Sequence, residues 1–168
     1  MSAESKSRQR LRDIMLRRYL RLGESHTMHE VMGFLTDKHF EENGLPFLVV
    51  IAEDGTFAGI LEPKAILSSV AGGPMDSESP SDDGFAEIVA RNLHLTVGQI
   101  MNRDIPRLSP DAFLEDAFLC LAENQTEVAA ITEEDRVIGL VTARLLFEIA
   151  SNLTVGSLTG GVIPPSSS

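Results

Sequence analysis

His26 and His29 stand three residues apart with Glu30 beside them, and His39 and Glu41 follow downstream. Imidazole nitrogens and carboxylates are donors that a transition ion accepts, so this set is a metal candidate. A His-x-x-His pair is a weak signal by itself, and at the start of a helix such residues more often cap and face water. The expectation is therefore no metal site. The carboxylates Asp76, Glu78, Asp82 and Asp83 would attract a divalent cation, but their spacing matches no calcium loop, and they read as solvated linker. Cys120 adjoins the buried-patterned Leu121 and has no neighbouring base, which argues against a nucleophilic thiolate. Gly72-Gly73 and Gly160-Gly161 do not follow a strand and open a helix, as a phosphate loop must. Without a nucleophile–base pair or a phosphate loop, the chain reads as a non-enzyme with no resident cofactor.

The 168 residues suit one domain, or two small ones sharing a core, and a hydrophobic content of 43% is that of a globular chain. Leu45 to Ala52, the longest apolar stretch, is interrupted by Pro46 and is far too short to span a bilayer. The first residues have no apolar core of a secretory signal, and the single cysteine cannot form an internal disulfide. A cytoplasmic location is the expectation. Net charge is −11, but residues 1–22 carry seven basic side chains against two acids, so that segment is +5 and the rest −16. Such a body repels a polyanion, and nucleic acid is not an expected partner. The basic start is expected to be partly helical and to lie against acidic surface of its own chain or of a second copy.

These residues are positioned by a repeat. Leu11-Arg-Asp-Ile-Met15 aligns with Val97-Gly-Gln-Ile-Met101 at an offset of 86, and Arg21-Leu22 then falls on Arg107-Leu108. Met28, Val31, Met32 and Leu35 fall on Leu114, Ala117, Phe118 and Leu121, both sets having the i, i+3, i+4, i+7 spacing of one helix face. Thr27-x-x-Glu30 is a capping box, and Ser109-Pro110-Asp111 offers caps in the second copy. The offset then drops to 80, as if the first copy held six extra residues around Lys38 to Asn43. Phe47–Ile51 matches Glu127–Ile131 as a buried strand, and Phe57–Leu61 matches Val137–Val141 as its return. Asp54-Gly55 and Glu134-Asp135 supply the turns. Gly59 and Gly139 coincide, where another backbone or a ligand must approach closely. A helix closes each copy, from Pro63 and from Ala143.

In this order, and twice, the motifs resemble the tandem CBS (cystathionine-β-synthase) domain pair, or Bateman module. Leu95-Thr-Val-Gly-Gln-Ile-Met101, Arg107-Leu-Ser-Pro-Asp111 and Val137-Ile-Gly-Leu-Val-Thr142 are similar to the family's opening strand, helix cap and Gly-x-x-Thr ending. The resemblance implies an α+β fold of two βαββα repeats stacked through their sheets about a pseudo-twofold axis, preceded by an N-terminal helix or arm. The division it suggests is a basic arm at 1–10, a first repeat at 11–70, an acidic linker at 71–93, a second repeat at 94–158 and a tail at 159–168. It also implies a homodimer. Apolar positions beyond those needed for the core, Ile66, Leu67, Leu146, Phe147 and Ile149, are the expected dimer face.

The same resemblance implies a regulatory module that takes adenosine-containing ligands such as AMP, ATP or S-adenosylmethionine and acts on a partner protein. The family's ending is Gly-x-x-Thr/Ser-x-x-Asp, whose hydroxyl meets phosphate and whose Asp accepts from ribose. The first copy has Glu62 and Ala65 at those places, so it repels phosphate and offers ribose no acceptor. The second keeps Thr142 but has Leu145 for the Asp, a loss of about 1.5–3 kcal/mol of ribose binding. The implied ligand residues are Thr142, Arg144 for phosphate, and the backbone near Ile105 and Val128. Against this stand a reading in which Thr142 merely caps the last helix, and a ligand-free dimerisation scaffold with Phe47, Phe57 and Phe113 filling both clefts. A divalent-cation sensor is the remaining alternative.

Overall fold

The computed structural model describes residues 8–36, 47–72 and 82–157. The extra residues around 38–43, His39, Glu41, Asp76, Glu78 and the tail expected at 159–168 lie outside them. The elements in chain order are α1 (Leu11–Ile14), β1 (Arg21–Gly23), α2 (Met28–Leu35), β2 (Leu48–Ile51), β3 (Phe57–Leu61), α3 (Pro63–Val70), α4 (Asp82–Asn92), α5 (Val97–Ile100), β4 (Arg107–Leu108), α6 (Leu114–Asn124), β5 (Val128–Glu133), β6 (Arg136–Thr142) and α7 (Ala143–Ser157). They build two three-stranded sheets, β1-β2-β3 and β4-β5-β6, each with its first pair parallel. The fold is thus α+β with two repeated sheets.

Local chemistry accounts for most element ends. Thr27 and Glu30 form the capping box of α2: the Thr27 N–H donates to Glu30 Oε1 at 3.0 Å, and the Glu30 N–H to Thr27 Oγ1 at 3.3 Å. Pro63 occupies the first turn of α3, where its missing N–H costs nothing. In the β2–β3 turn Gly55 takes φ +89°, and the Asp54 carboxylate accepts from the Thr56 N–H and hydroxyl. The β5–β6 turn places Glu134 and Asp135 at φ 53° and 64° without a glycine. α6 differs from expectation at its start. Asp116 accepts the Phe113 N–H at 2.8 Å, whereas Ser109 Oγ accepts only from the Asp111 N–H, within the preceding turn.

Two further expectations are corrected. The segments at Leu11–Ile14 and Val97–Ile100, expected as opening strands, are single helical turns, and the first strands are β1 and β4. Within the stretch expected to be linker, Asp82–Asn92 is helical. Its Val89, together with Leu93 just beyond the helix, packs on the core, and Asn92 donates to the Val70 carbonyl at 3.2 Å. Phe85, Ile88, Val89 and Asn92 have helical spacing that the acidic residues before them obscure.

The chain forms two compact units. One takes Met1–Leu16, Pro106–Glu133 and Ile138–Ser168; the other takes Arg17–Ile105 and Glu134–Val137. Each copy's opening helix therefore belongs to the unit holding the other copy's sheet. In the first-sheet unit, Val97 and Gly98 donate to the His26 and Glu24 carbonyls, and Asn102 bridges to Ile60. In the second-sheet unit, Leu11 and Arg12 donate to the Ala112 and Pro110 carbonyls, and Leu16 bridges to Leu140. The two glycines read as points of close approach meet these exchanged segments. A Cβ on Gly59 would lie 2.5 Å from the Asn102 carbonyl oxygen, and one on Gly139 would fall on the Met15 side chain.

The cores are separate and follow the repeat. Leu22, Met28, Val31, Leu48, Val50, Leu61, Ile66 and Val97 are buried in the first-sheet unit; Leu11, Ala117, Leu121, Ala129, Ile131, Val141 and Leu146 are buried in the second. Pairing corrects one detail of the alignment. Arg21 pairs with Val49 and Arg107 with Ala130, so β2 and β5 match at an offset of 81, not 80. Ile60 and Leu140 bridge the equivalent Asn102 and Leu16, so the returning strands keep 80. Near-continuous burial along β2 and β5 removes the alternation that would reveal a one-residue slip.

Candidate functional site

Gly139 to Thr142 ends β6, and the Thr142 hydroxyl lies at the head of α7. Its Oγ accepts the Leu145 N–H at 3.2 Å, the bond of a helix N-cap. The Ala143 N–H donates to the Glu127 carbonyl at 2.9 Å, tying the start of α7 to the start of β5. Thr142 and Val128 are therefore neighbours at one end of the second sheet. Val128 is fully buried, and its backbone N–H and carbonyl are both engaged by the Thr126 hydroxyl, at 3.4 and 3.2 Å. Arg144 is exposed, and its Nε lies 3.5 Å from Glu148 one turn along. That pair is solvated and weak, so it leaves the guanidinium available to an anion. Ile105 is buried in the first-sheet unit, at its chain boundary with the second.

At the matching place in the first copy, Glu62 precedes Pro63 and makes no cap bond to α3. Its carboxylate accepts instead from Asn102 Nδ2 at 3.1 Å, while Asn102 Oδ1 accepts the Asp104 N–H at 2.9 Å. Glu62 thus puts a fixed carboxylate where the second copy has a hydroxyl, and that charge opposes a phosphate.

The other candidates have structural employment. His26 Nδ1 lies 3.3 Å from Glu30 Oε2, and its ring meets Phe34 edge-on at 5.9 Å. The Thr27 N–H, then the His26 contact, hold the Glu30 carboxyl below its ordinary value of 4.5. Among the described residues no group of three or more His, Cys, Asp or Glu side chains is arranged to hold a metal ion. Burial pushes the Cys120 thiol up, against a smaller opposing effect from the Asn124 hydrogen bond, so it is a poor thiolate. Phe57 is a core residue. The Phe113 ring lies beneath two guanidiniums, Arg8 at 3.6 Å and Arg10 at 5.0 Å. The basic start is thereby anchored to its own chain, with Arg8 also 3.6 Å from Glu115 and Arg12 3.0 Å from Asp111.

Of the apolar positions expected at a dimer face, Ile66 and Leu146 are instead in the cores. Leu67 and Phe147 remain 64% and 69% exposed. They are equivalent residues of α3 and α7, so the repeat leaves a large apolar side chain outward at the same place on each closing helix, and Leu153 further along α7 is exposed as well. Among the described residues no helix is long and apolar enough to cross a membrane.

Comparison with known proteins agrees with this geometry. Residues 97–152 match the family model of the CBS domain. A CBS domain-containing protein from Kribbella flavida superposes with TM-score 0.64 at 18% identity, covering 85% of this chain and 99% of that one. CBSX2 in complex with AMP gives 0.63 at 18% identity, covering 86% and 98%. The CBS domain pair of protein MJ0100, in complex with 5′-methylthioadenosine and S-adenosyl-L-methionine, gives 0.61 at 17% identity, covering 87% and 98%. No curated protein sequence matches the chain significantly. Residues 97–152 of the second copy thus match the CBS domain, and the two copies together have the fold of a CBS-domain pair.

Proposed function

We propose that this chain is a non-catalytic regulatory module that forms a homodimer and senses an adenosine-containing ligand beside Thr142, thereby modulating a partner protein in the cytoplasm. The observation that carries the reading is the retained Gly139-x-x-Thr142 ending at the head of α7, in a fold shared with CBS pairs described with AMP or S-adenosylmethionine. Thr142 and the accessible Arg144 supply a hydroxyl and a cation for phosphate, whereas Glu62 in the other copy opposes one. Leu145 leaves ribose without a carboxylate, so binding is weak.

Calorimetry with AMP, ATP and S-adenosylmethionine is the test. The expected result is one site per chain with affinity in the tens of micromolar, about 6 kcal/mol. Leu145→Asp should tighten it about tenfold or more. Two equivalent sites, or tight binding unaffected by Thr142→Val, would refute the assignment.

A ligand-free dimerisation scaffold is the second reading. It is favoured by the Thr142 hydroxyl being engaged as a cap and by the exposed pair Leu67 and Phe147. A dimer by light scattering that binds none of the three ligands would establish it. A monomer at micromolar concentration would remove the dimer from both readings. Leu67→Glu with Phe147→Glu should dissociate the dimer if these side chains form its face.

A further inference from the structure

The repeat places Gly98 where the first copy has Arg12. The equivalence is structural as well as sequential: Arg12 donates its backbone N–H to the Pro110 carbonyl at 2.9 Å, and Gly98 donates to the Glu24 carbonyl at 2.9 Å. In the second-sheet unit the Arg12 side chain occupies the ground beyond this bond. Its Nε and Nη2 donate to Asp111 Oδ1 at 3.3 and 3.0 Å, and Nη2 lies 3.7 Å from Glu133 Oε2. In the first-sheet unit glycine supplies no side chain, and a cavity of about 630 Å³ opens there, lined by Arg21, Glu24, Glu53, Thr96, Gly98 and Arg103. That volume is within the range of small-molecule sites. The cavity involves the far ends of β1 and β2, the strand ends opposite Glu62, so it is not the place the Gly-x-x-Thr motif marks.

Its charges define an occupant. Arg103 Nη1 pairs with Glu24 at 3.2 Å, and Arg103 Nη2 donates to the Gly98 carbonyl, so this couple is internally balanced. Arg21 donates to the Tyr19 hydroxyl and stacks on its ring, but has no carboxylate partner among the described residues. Glu53 lines the same cavity, and the described residues give it no cation. One cation and one anion remain for a ligand to satisfy. At the positions equivalent to Asp111 and Glu133 stand Ser25 and Ala52, each next to a glutamate, Glu24 and Glu53. Negative charge is thus kept close to where the absent guanidinium would lie.

We infer that this cavity binds a small zwitterion carrying a guanidinium or ammonium group, a basic amino acid in chemical class. Its cationic end takes the place of the missing Arg12 side chain against Glu53, and its carboxylate faces Arg21. Charge-assisted hydrogen bonds to both ends give recognition that neither a simple cation nor a simple anion obtains.

Calorimetry on the full chain with L-arginine tests this, using agmatine (guanidinium without carboxylate) and sodium chloride at matched ionic strength as controls. The expected result is one saturable arginine site, with agmatine about tenfold weaker for want of the Arg21 contact. Glu53→Gln, a change at an exposed residue, should weaken arginine about tenfold. Gly98→Arg should abolish binding by filling the cavity. Its Cβ would lie 3.3 Å from the Glu24 Cβ and carbonyl, which needs a shift of only a few tenths of an ångström. Circular dichroism confirms that each variant is folded, and AMP titration of the same variants separates this site from the one beside Thr142. Arginine heats no larger than those of the salt control, or binding unchanged by Glu53→Gln, would overturn the inference.

Discussion

Gly59 and Gly139 are equivalent in sequence, yet adding one methyl group to each should have very different consequences. At Gly59 the new Cβ would sit 2.5 Å from the Asn102 carbonyl oxygen and 3.2 Å from its carbonyl carbon. That oxygen accepts the Ile60 N–H at 3.0 Å, and the Asn102 N–H donates back to Ile60 at 2.8 Å. Backbone cannot yield without loosening this reciprocal pair. Overpacking against fixed atoms costs about 3 kcal/mol at the upper end, and weakening two hydrogen bonds adds about 1–2 kcal/mol. The lower chain entropy of unfolded alanine returns about 1 kcal/mol, leaving a loss of about 3–4 kcal/mol. At Gly139 the obstacle is Met15, whose Cγ lies 2.6 Å and Cβ 3.0 Å from the added atom. The unbranched chain from Cγ outward can rotate away, leaving only the Cβ contact to be relieved by a shift of a few tenths of an ångström, so the strain falls to about 1.5–2 kcal/mol and the net loss to about 1 kcal/mol. With no tryptophan and one tyrosine, urea unfolding is best followed by far-ultraviolet circular dichroism. Gly59→Ala should lower the melting temperature by about 8–12 °C and Gly139→Ala by about 2–4 °C. Equal losses, or a greater loss for Gly139→Ala, would refute the distinction between backbone and side-chain obstruction.

Three smaller effects should follow. Asp116→Ala removes the carboxylate that accepts the Phe113 N–H and should cost about 1 kcal/mol in urea unfolding, while Ser109→Ala should cost less. Glu134→Asn should stabilise by about 0.5–1 kcal/mol, because asparagine tolerates the positive φ of 53° better than glutamate. Thr27 lowers the Glu30 carboxyl and Thr56 the Asp54 carboxyl from ordinary values of 4.5 and 3.8. A lowered folded value means stability that is full above those ordinary values and is lost as pH falls through the folded ones. The urea midpoint should therefore fall below about pH 4.5, and Glu30→Gln, which keeps a capping side chain, should flatten that fall.

Sequence alone determined whatever depends on near neighbours. Thr27-x-x-Glu30 announces its capping box because both partners lie within one turn, and Asp54-Gly55 announces a turn because only glycine enters its φ without strain. The two copies were legible because apolar periodicity marks the buried face wherever the chain later goes, as Met28, Val31, Ala117 and Leu121 show. Gly59 and Gly139 signalled close approach, but not by what. Tertiary structure decided that the exchanged opening segments, at Asn102 and Met15, are what they meet. It also decided the helical turn at Val97–Ile100, since four residues are too few for period to separate helix from strand. The one-residue slip between β2 and β5 was hidden because strands buried on both faces show no alternation. The cavity beside Gly98 was equally hidden. A glycine opposite an arginine in an alignment is one substitution among many, and it becomes a space only where packing shows what Arg12 fills.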